Sequence, residues 1–94
     1  MAADLHRVEG TVHGRVQGVG YRAFAVRWGK ELGLRGFVRN EPGGTVAFAA
    51  EGSRADLERF LDALHVGPAL GRVTRVDETW TPPEDRLSGF EIRR

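Results

Sequence analysis

Polar and apolar residues alternate from Leu5 to His13, with Val8, Gly10 and Val12 on one side and Arg7, Glu9, Thr11 and His13 on the other. A period of two predicts a strand with one face buried. The period then lengthens. Tyr21, Phe24, Ala25, Trp28 and Leu32 recur at helical spacing, with Arg22, Arg27, Lys30 and Glu31 off the stripe, so a helix is expected to open near Tyr21 and end near Gly33. Two short strand patterns follow, residues 35–40 and 45–51, separated by Glu41-Pro42-Gly43-Gly44, where Pro then Gly suits a type II hairpin turn. Ser53 with Asp56 three residues on marks a second helix start, and Leu57, Phe60, Leu61 and Leu64 form its apolar stripe. Gly67-Pro68 and Pro82-Pro83 bracket a further strand over residues 72–80 whose alternation is imperfect, and Phe90 and Ile92 alternate in a short last one.

The order β-α-β-β-α-β plus one C-terminal strand predicts an α+β fold. It is a ferredoxin-like sandwich of the split βαβ kind, with two helices packed on one face of an antiparallel sheet. Strands joined through a right-handed helical crossover run the same way, so the C-terminal ends of the first and second strands fall at one edge of the sheet. The segment after His13 and the residue Asn40 are therefore expected to be neighbours.

Composition narrows the field further. The 94 residues suffice for one domain, 1–94, and not for a dinucleotide domain plus a substrate domain. With 14 Lys+Arg against 13 Asp+Glu the net charge is +1, which disfavours a dedicated nucleic-acid binder. The absence of cysteine excludes disulfides, thiolate zinc sites and a cysteine nucleophile, and fits the cytoplasm. The first ten residues carry no apolar leader segment and no later stretch reaches membrane-spanning length, so a soluble protein without membrane contact is expected, and it is taken to act as a monomer. His6, His13 and His65 lack metal-ligand spacing, so no metal is expected. Gly18-Val-Gly20-Tyr-Arg-Ala23 satisfies a loose dinucleotide fingerprint, but the alternating βαβαβ continuation it requires is missing, and no cofactor is expected.

The chemistry concentrates between His13 and Arg22, where Gly14, Gly18 and Gly20 separate a strand pattern from a helix pattern. Glycines let successive N–H groups turn inward, and a helix start adds unpaired donors and a positive dipole end. Arg22 adds a forked cation at a place where a cation opposes the dipole, a local conflict that a bound anion would relieve. Backbone N–H groups of Arg15, Val16, Gln17, Gly18, Val19, Gly20 and Tyr21 are thus candidate phosphate ligands, with Arg22 as the charge-balancing group. Asn40 is not a base near neutral pH, but its amide can orient a water in line with a bond to phosphorus. Such a water is a weak nucleophile, so the arrangement suits only an activated phosphate, and an acyl phosphate, whose carboxylate leaves without a general acid, meets that condition. The same loop also suits a module that binds a phosphate anion without turnover, and both readings stand on these residues alone.

Gly14-Arg-Val-Gln-Gly-Val-Gly-Tyr-Arg22, and then Gly36-Phe-Val-Arg-Asn40 followed by Gly44, Val46 and Gly52, resemble the two signature blocks of the acylphosphatases. The resemblance spans nearly the whole chain. It implies the βαββαβ fold with an added strand and metal-independent hydrolysis of a small-molecule acyl phosphate to carboxylate and orthophosphate. It also implies Arg22 as the phosphate-binding residue and Asn40 as the residue that positions the water. Glu41 departs from the pattern, standing beside Asn40 where many family members carry threonine. A carboxylate there would repel an anion if it faced the loop; it is expected to turn outward into the Pro42 turn.

Overall fold

Val8 and Val12 are wholly buried while Glu9, Thr11 and His13 keep contact with solvent, so the alternation of the first strand is a burial pattern. The computed structural model describes residues 4–94; the first three residues, part of the stretch read above as lacking a leader, lie outside that range. In chain order the elements are β1 (His6–Arg15), α1 (Tyr21–Glu31), β2 (Arg35–Asn40), β3 (Val46–Gly52), α2 (Arg54–Val66), β4 (Arg72–Thr81) and β5 (Phe90–Arg93). The core lies between the sheet and the helices. Val8, Val12, Val38, Val46, Phe48 and Ala50 of the sheet meet Tyr21 and Ala25 of α1 and Leu57, Phe60, Leu61 and Leu64 of α2. Each fully buried large side chain of this kind contributes roughly 1.5–3 kcal/mol. Helix α1 lies over β2 and β5, and α2 over β4, β1 and β3. Helix α2 opens as expected, Ser53 Oγ accepting from the Asp56 N–H at 3.2 Å.

The sheet order is β4-β1-β3-β2-β5. β1 and β2 both pair antiparallel with β3, so they run the same way, and one register row joins Val12, Val46 and Asn40. Asn40 therefore ends β2 level with Val12, two residues before the Gly14 bulge. Its parity is that of Val38, so its side chain lies on the helix-covered face.

Two features differ from the pattern read in the sequence. The imperfect alternation of β4 is a bulge: Val12 pairs with Val76 and Gly14 with Val73, so Thr74 is an extra residue and the two valines turn inward although three apart. At the bulge Gly14 has φ 125°, and a Cβ there would collide with the Arg72 carbonyl oxygen. The second difference is that the sheet is mixed, because β5 pairs parallel with β2. Thr81 ends β4 opposite Arg7, at the end of the sheet where β2 begins. The chain crosses that end and enters the outer edge from below, so it must run alongside β2 in the same sense.

The crossing is fastened by a group that alternation assigns to the solvent face. Glu51 is fully buried, opposite Arg7 on one side and Arg35 on the other. Its carboxylate accepts from Arg7 Nη1 at 2.7 Å and from the Glu84 and Asp85 N–H groups at 3.0 Å each. Burial pushes its pKa up, but the two N–H donors and the Arg7 guanidinium outweigh burial and hold it below the usual carboxylate value. A depressed pKa contributes stability that is present above the unfolded value, about 4.3, and is lost as pH falls through the folded one. Glu51→Ala is expected to cost about 3 kcal/mol, leaving Arg7 Nη1 and two N–H groups without their acceptor, and to lower Tm by roughly 12 °C or more. Glu51→Gln should flatten the loss of stability below about pH 4.3. Urea titrations at neutral and acid pH check both, and a Glu51→Ala variant as stable as the parent would show that the pair contributes nothing.

Candidate active site

The segment joining β1 to α1 alternates in backbone sense. Gly18 and Gly20 sit at φ 75 and 79, while Gln17 and Val19 keep negative φ. Such alternation turns consecutive N–H groups toward one concavity, the geometry of an anion nest. Helix α1 begins directly after it, with Gly20 as N-cap, no side-chain cap and no acidic residue in its first turn. Phe24 N–H is the first to find a helical acceptor, the Gly20 carbonyl oxygen at 3.0 Å. Among the described residues, no N–H group from Gln17 to Ala23 donates to another protein atom. Seven neighbouring donors are thus without a protein acceptor at the positive end of a helix.

The side chains around the nest hold it in place. Val16 is buried in the core, and Tyr21, also buried, donates its hydroxyl to the Leu64 carbonyl oxygen at 2.7 Å, tying the start of α1 to the last turn of α2. Burial raises the Tyr21 pKa, so the phenol stays protonated and keeps donating. Gln17 Nε2 donates to the carbonyl oxygens of Glu41 and Thr45, both at 2.9 Å. This clamp locks the glycine loop to the β2–β3 turn, so the loop and Asn40 are neighbours. Of the candidates named from the sequence, then, Val16, Gln17 and Tyr21 spend their side chains on structure and have only the backbone to offer a ligand. Nothing in the sequence pattern exposes the Gln17 clamp, since its acceptors are main-chain carbonyls.

Two side chains are left unengaged beside the nest. Arg22, half-buried in the first turn of α1, takes part in no ion pair among the described residues. Asn40 Oδ1 is buried and has no hydrogen-bond partner in the protein. Arg15 is exposed at the end of β1, opposite Arg72. Glu41 is turned into its own hairpin: its N–H donates to the Thr45 carbonyl oxygen at 2.9 Å, and its Oε1 accepts from Thr45 Oγ1 at 2.9 Å. Gly43 and Gly44 at φ 95 and 101, with Gly44 N–H donating to the Glu41 carbonyl oxygen, complete the expected turn. Among the described residues no three His, Asp or Glu side chains gather as a metal-holding group, and His13 instead contacts Asp77 at 2.9 Å. Among the described residues no helix is long and apolar enough to cross a membrane.

The fold is that of a small α+β protein, a split βαβ sandwich, and at one sheet end it gathers a glycine nest, an arginine unpaired among the described residues and an unpartnered amide. The acylphosphatase family model matches residues 8–92. The chain is 44% identical over 88 residues to an acylphosphatase of Salinibacter ruber, covering 94% of this chain and 93% of that one. It is 49% identical over 88 residues to an acylphosphatase of Thermus thermophilus, covering 94% and 99%. The crystal structure of acylphosphatase from Bacillus subtilis superposes with a TM-score of 0.91 at 32% identity, covering 96% of this chain and 99% of that one. The chain belongs to the acylphosphatase family.

Proposed function

We propose that the chain hydrolyses acyl phosphates at the sheet end, the phosphoryl group held by Arg22 and by loop N–H groups of residues 15–21, with Asn40 orienting the attacking water. Family membership makes acyl phosphate hydrolysis the reaction to be explained. The observation that carries the mechanism is the buried, unpartnered Oδ1 of Asn40 beside a loop whose N–H groups are free. A buried acceptor without a partner costs about 1–3 kcal/mol, which a water donating to it would recover. An arginine fork and a ring of N–H groups bind the nonbridging oxygens and balance the charge that builds on them. As the water oxygen bonds to phosphorus, the bond from phosphorus to the acyl oxygen breaks and its electron pair leaves on the carboxylate. The proton shed by the water passes to a phosphoryl oxygen, giving orthophosphate. The leaving carboxylate needs no acid, so positioning and charge stabilisation suffice.

Arg15 adds positive charge at the rim and helps draw in the anionic substrate. The same reading takes residues 1–94 as one domain acting as a cytoplasmic monomer on a small molecule, independently of nucleic acid. The purified chain is expected to hydrolyse benzoyl phosphate at full rate with EDTA present. Absence of turnover, with inorganic phosphate still bound, would instead make the site a binding module.

A further inference from the structure

Helix α1 carries a second arginine, Arg27, in a cleft that shares Gly20 with the nest. Arg27 is five residues beyond Arg22, which sets it about 7.5 Å further along the axis and well round the helix from it. It is exposed and makes no ion pair or side-chain hydrogen bond among the described residues. Arg27 lines a cleft of about 360 Å³ together with Gly20, Ala23, Phe24 and Pro68. Gly20 belongs to both the nest and this cleft, so the two adjoin.

In-line displacement decides which part of the substrate goes there. The attacking and leaving oxygens lie on opposite sides of phosphorus. Asn40 stands on the β2 side of the glycine loop, and Pro68, between α2 and β4, stands on the other, since the sheet order puts β1 between β4 and β2. The acyl group of a phosphate attacked from Asn40 is therefore directed toward Phe24 and Pro68. Those two side chains offer an apolar wall, and Arg27 closes its far end one helical turn above Ala23.

Resting on the hydrolytic reading above, we infer that this cleft is an acyl-group subsite and that Arg27 selects acyl phosphates bearing a second negative charge at the distal end of the acyl group. The substrate class is then a monoacyl phosphate of a dicarboxylic acid, or one carrying a second phosphate. An exposed ion pair of this kind contributes modestly and is screened by salt. Because the distal charge is far from the reacting bond, it acts equally on bound substrate and transition state and appears in KM.

The test compares benzoyl phosphate with 4-carboxybenzoyl phosphate, whose rigid ring keeps the second carboxylate from attacking its own acyl phosphate. The parent chain is expected to favour the carboxylated substrate by roughly threefold to fivefold in kcat/KM, through KM, with the preference fading at high salt. The ratio should fall to about one in Arg27→Gln and below one in Arg27→Glu. In Arg27→Gln, benzoyl phosphate turnover and competitive inhibition by inorganic phosphate should change far less than that ratio. A ratio that is the same in the parent and in Arg27→Gln overturns the subsite while leaving hydrolysis intact. Failure of the parent chain to turn over either substrate overturns the hydrolytic reading and the subsite with it.

Discussion

Replacing Arg22 with Gln is expected to lower kcat for benzoyl phosphate about a thousandfold, a loss of about 4 kcal/mol of transition-state stabilisation. The guanidinium is the one side-chain cation in the first turn of α1, and it has no carboxylate partner among the described residues. In the phosphoryl transition state it would supply two parallel N–H donors and a full charge in a site partly shielded from water. Inhibition by inorganic phosphate should weaken by at least tenfold, because the same fork holds the product. Stability should move the other way. A cation at a helix N-terminus opposes the dipole by about 0.3–1 kcal/mol, so Arg22→Gln is expected to match or exceed the parent in Tm while losing activity. Arg22→Lys should recover little, since an ammonium is a point charge without the planar fork. Phosphate inhibition unchanged in Arg22→Gln would remove Arg22 from the phosphate site.

The seven elements are legible because each has one face in the core: Val8 and Val12 of β1, Tyr21 and Ala25 of α1, and Leu57, Phe60, Leu61 and Leu64 of α2 are both the periodic residues and the buried ones. Where burial comes from something other than a face, the pattern falls silent. Glu51 sits at a strand position of solvent parity and is buried by the crossing chain, whose backbone N–H groups at Glu84 and Asp85 satisfy it. No composition rule marks a carboxylate whose partners are main-chain donors 33 and 34 residues away. The bulge at Thr74 shifts the parity of β4 midway, which a strict period of two reads as noise.

The site divides in the same way. Glycines and an arginine at a strand-to-helix junction signal an anion nest through residue type alone, and the crossover rule then places Asn40 beside it. The clamp that fixes their separation, Gln17 on the Glu41 and Thr45 carbonyls, is invisible because any turn offers carbonyls. Glu41, expected from the sequence to turn into the Pro42 turn, does so, and the bond from Thr45 that holds it there is what the sequence does not show. The pair of Glu41 and Thr45 is only recognisable once the hairpin has brought them together.

Asn40→Ala is expected to reduce kcat by roughly a few hundredfold while leaving inhibition by inorganic phosphate within about twofold of the parent. The two observables separate because the proposed partner of Asn40 is the water and not the phosphoryl group. Its side chain leaves the last residue of β2 on the helix-covered face, level with Val12, with Oδ1 buried and unpartnered. Deleting that amide removes an acceptor whose desolvation is not compensated within the protein, so Tm should hold or rise, and a loss of activity cannot then be ascribed to unfolding. Asn40→Asp keeps the shape and adds a negative charge beside the nest. Above the ordinary aspartate pKa, about 3.9, it should weaken phosphate inhibition as well as turnover, and both should partly return as pH falls toward that value. If Asn40→Ala instead loses phosphate inhibition as steeply as Arg22→Gln, then Asn40 is a ligand of the anion, and the water must be positioned by the loop itself.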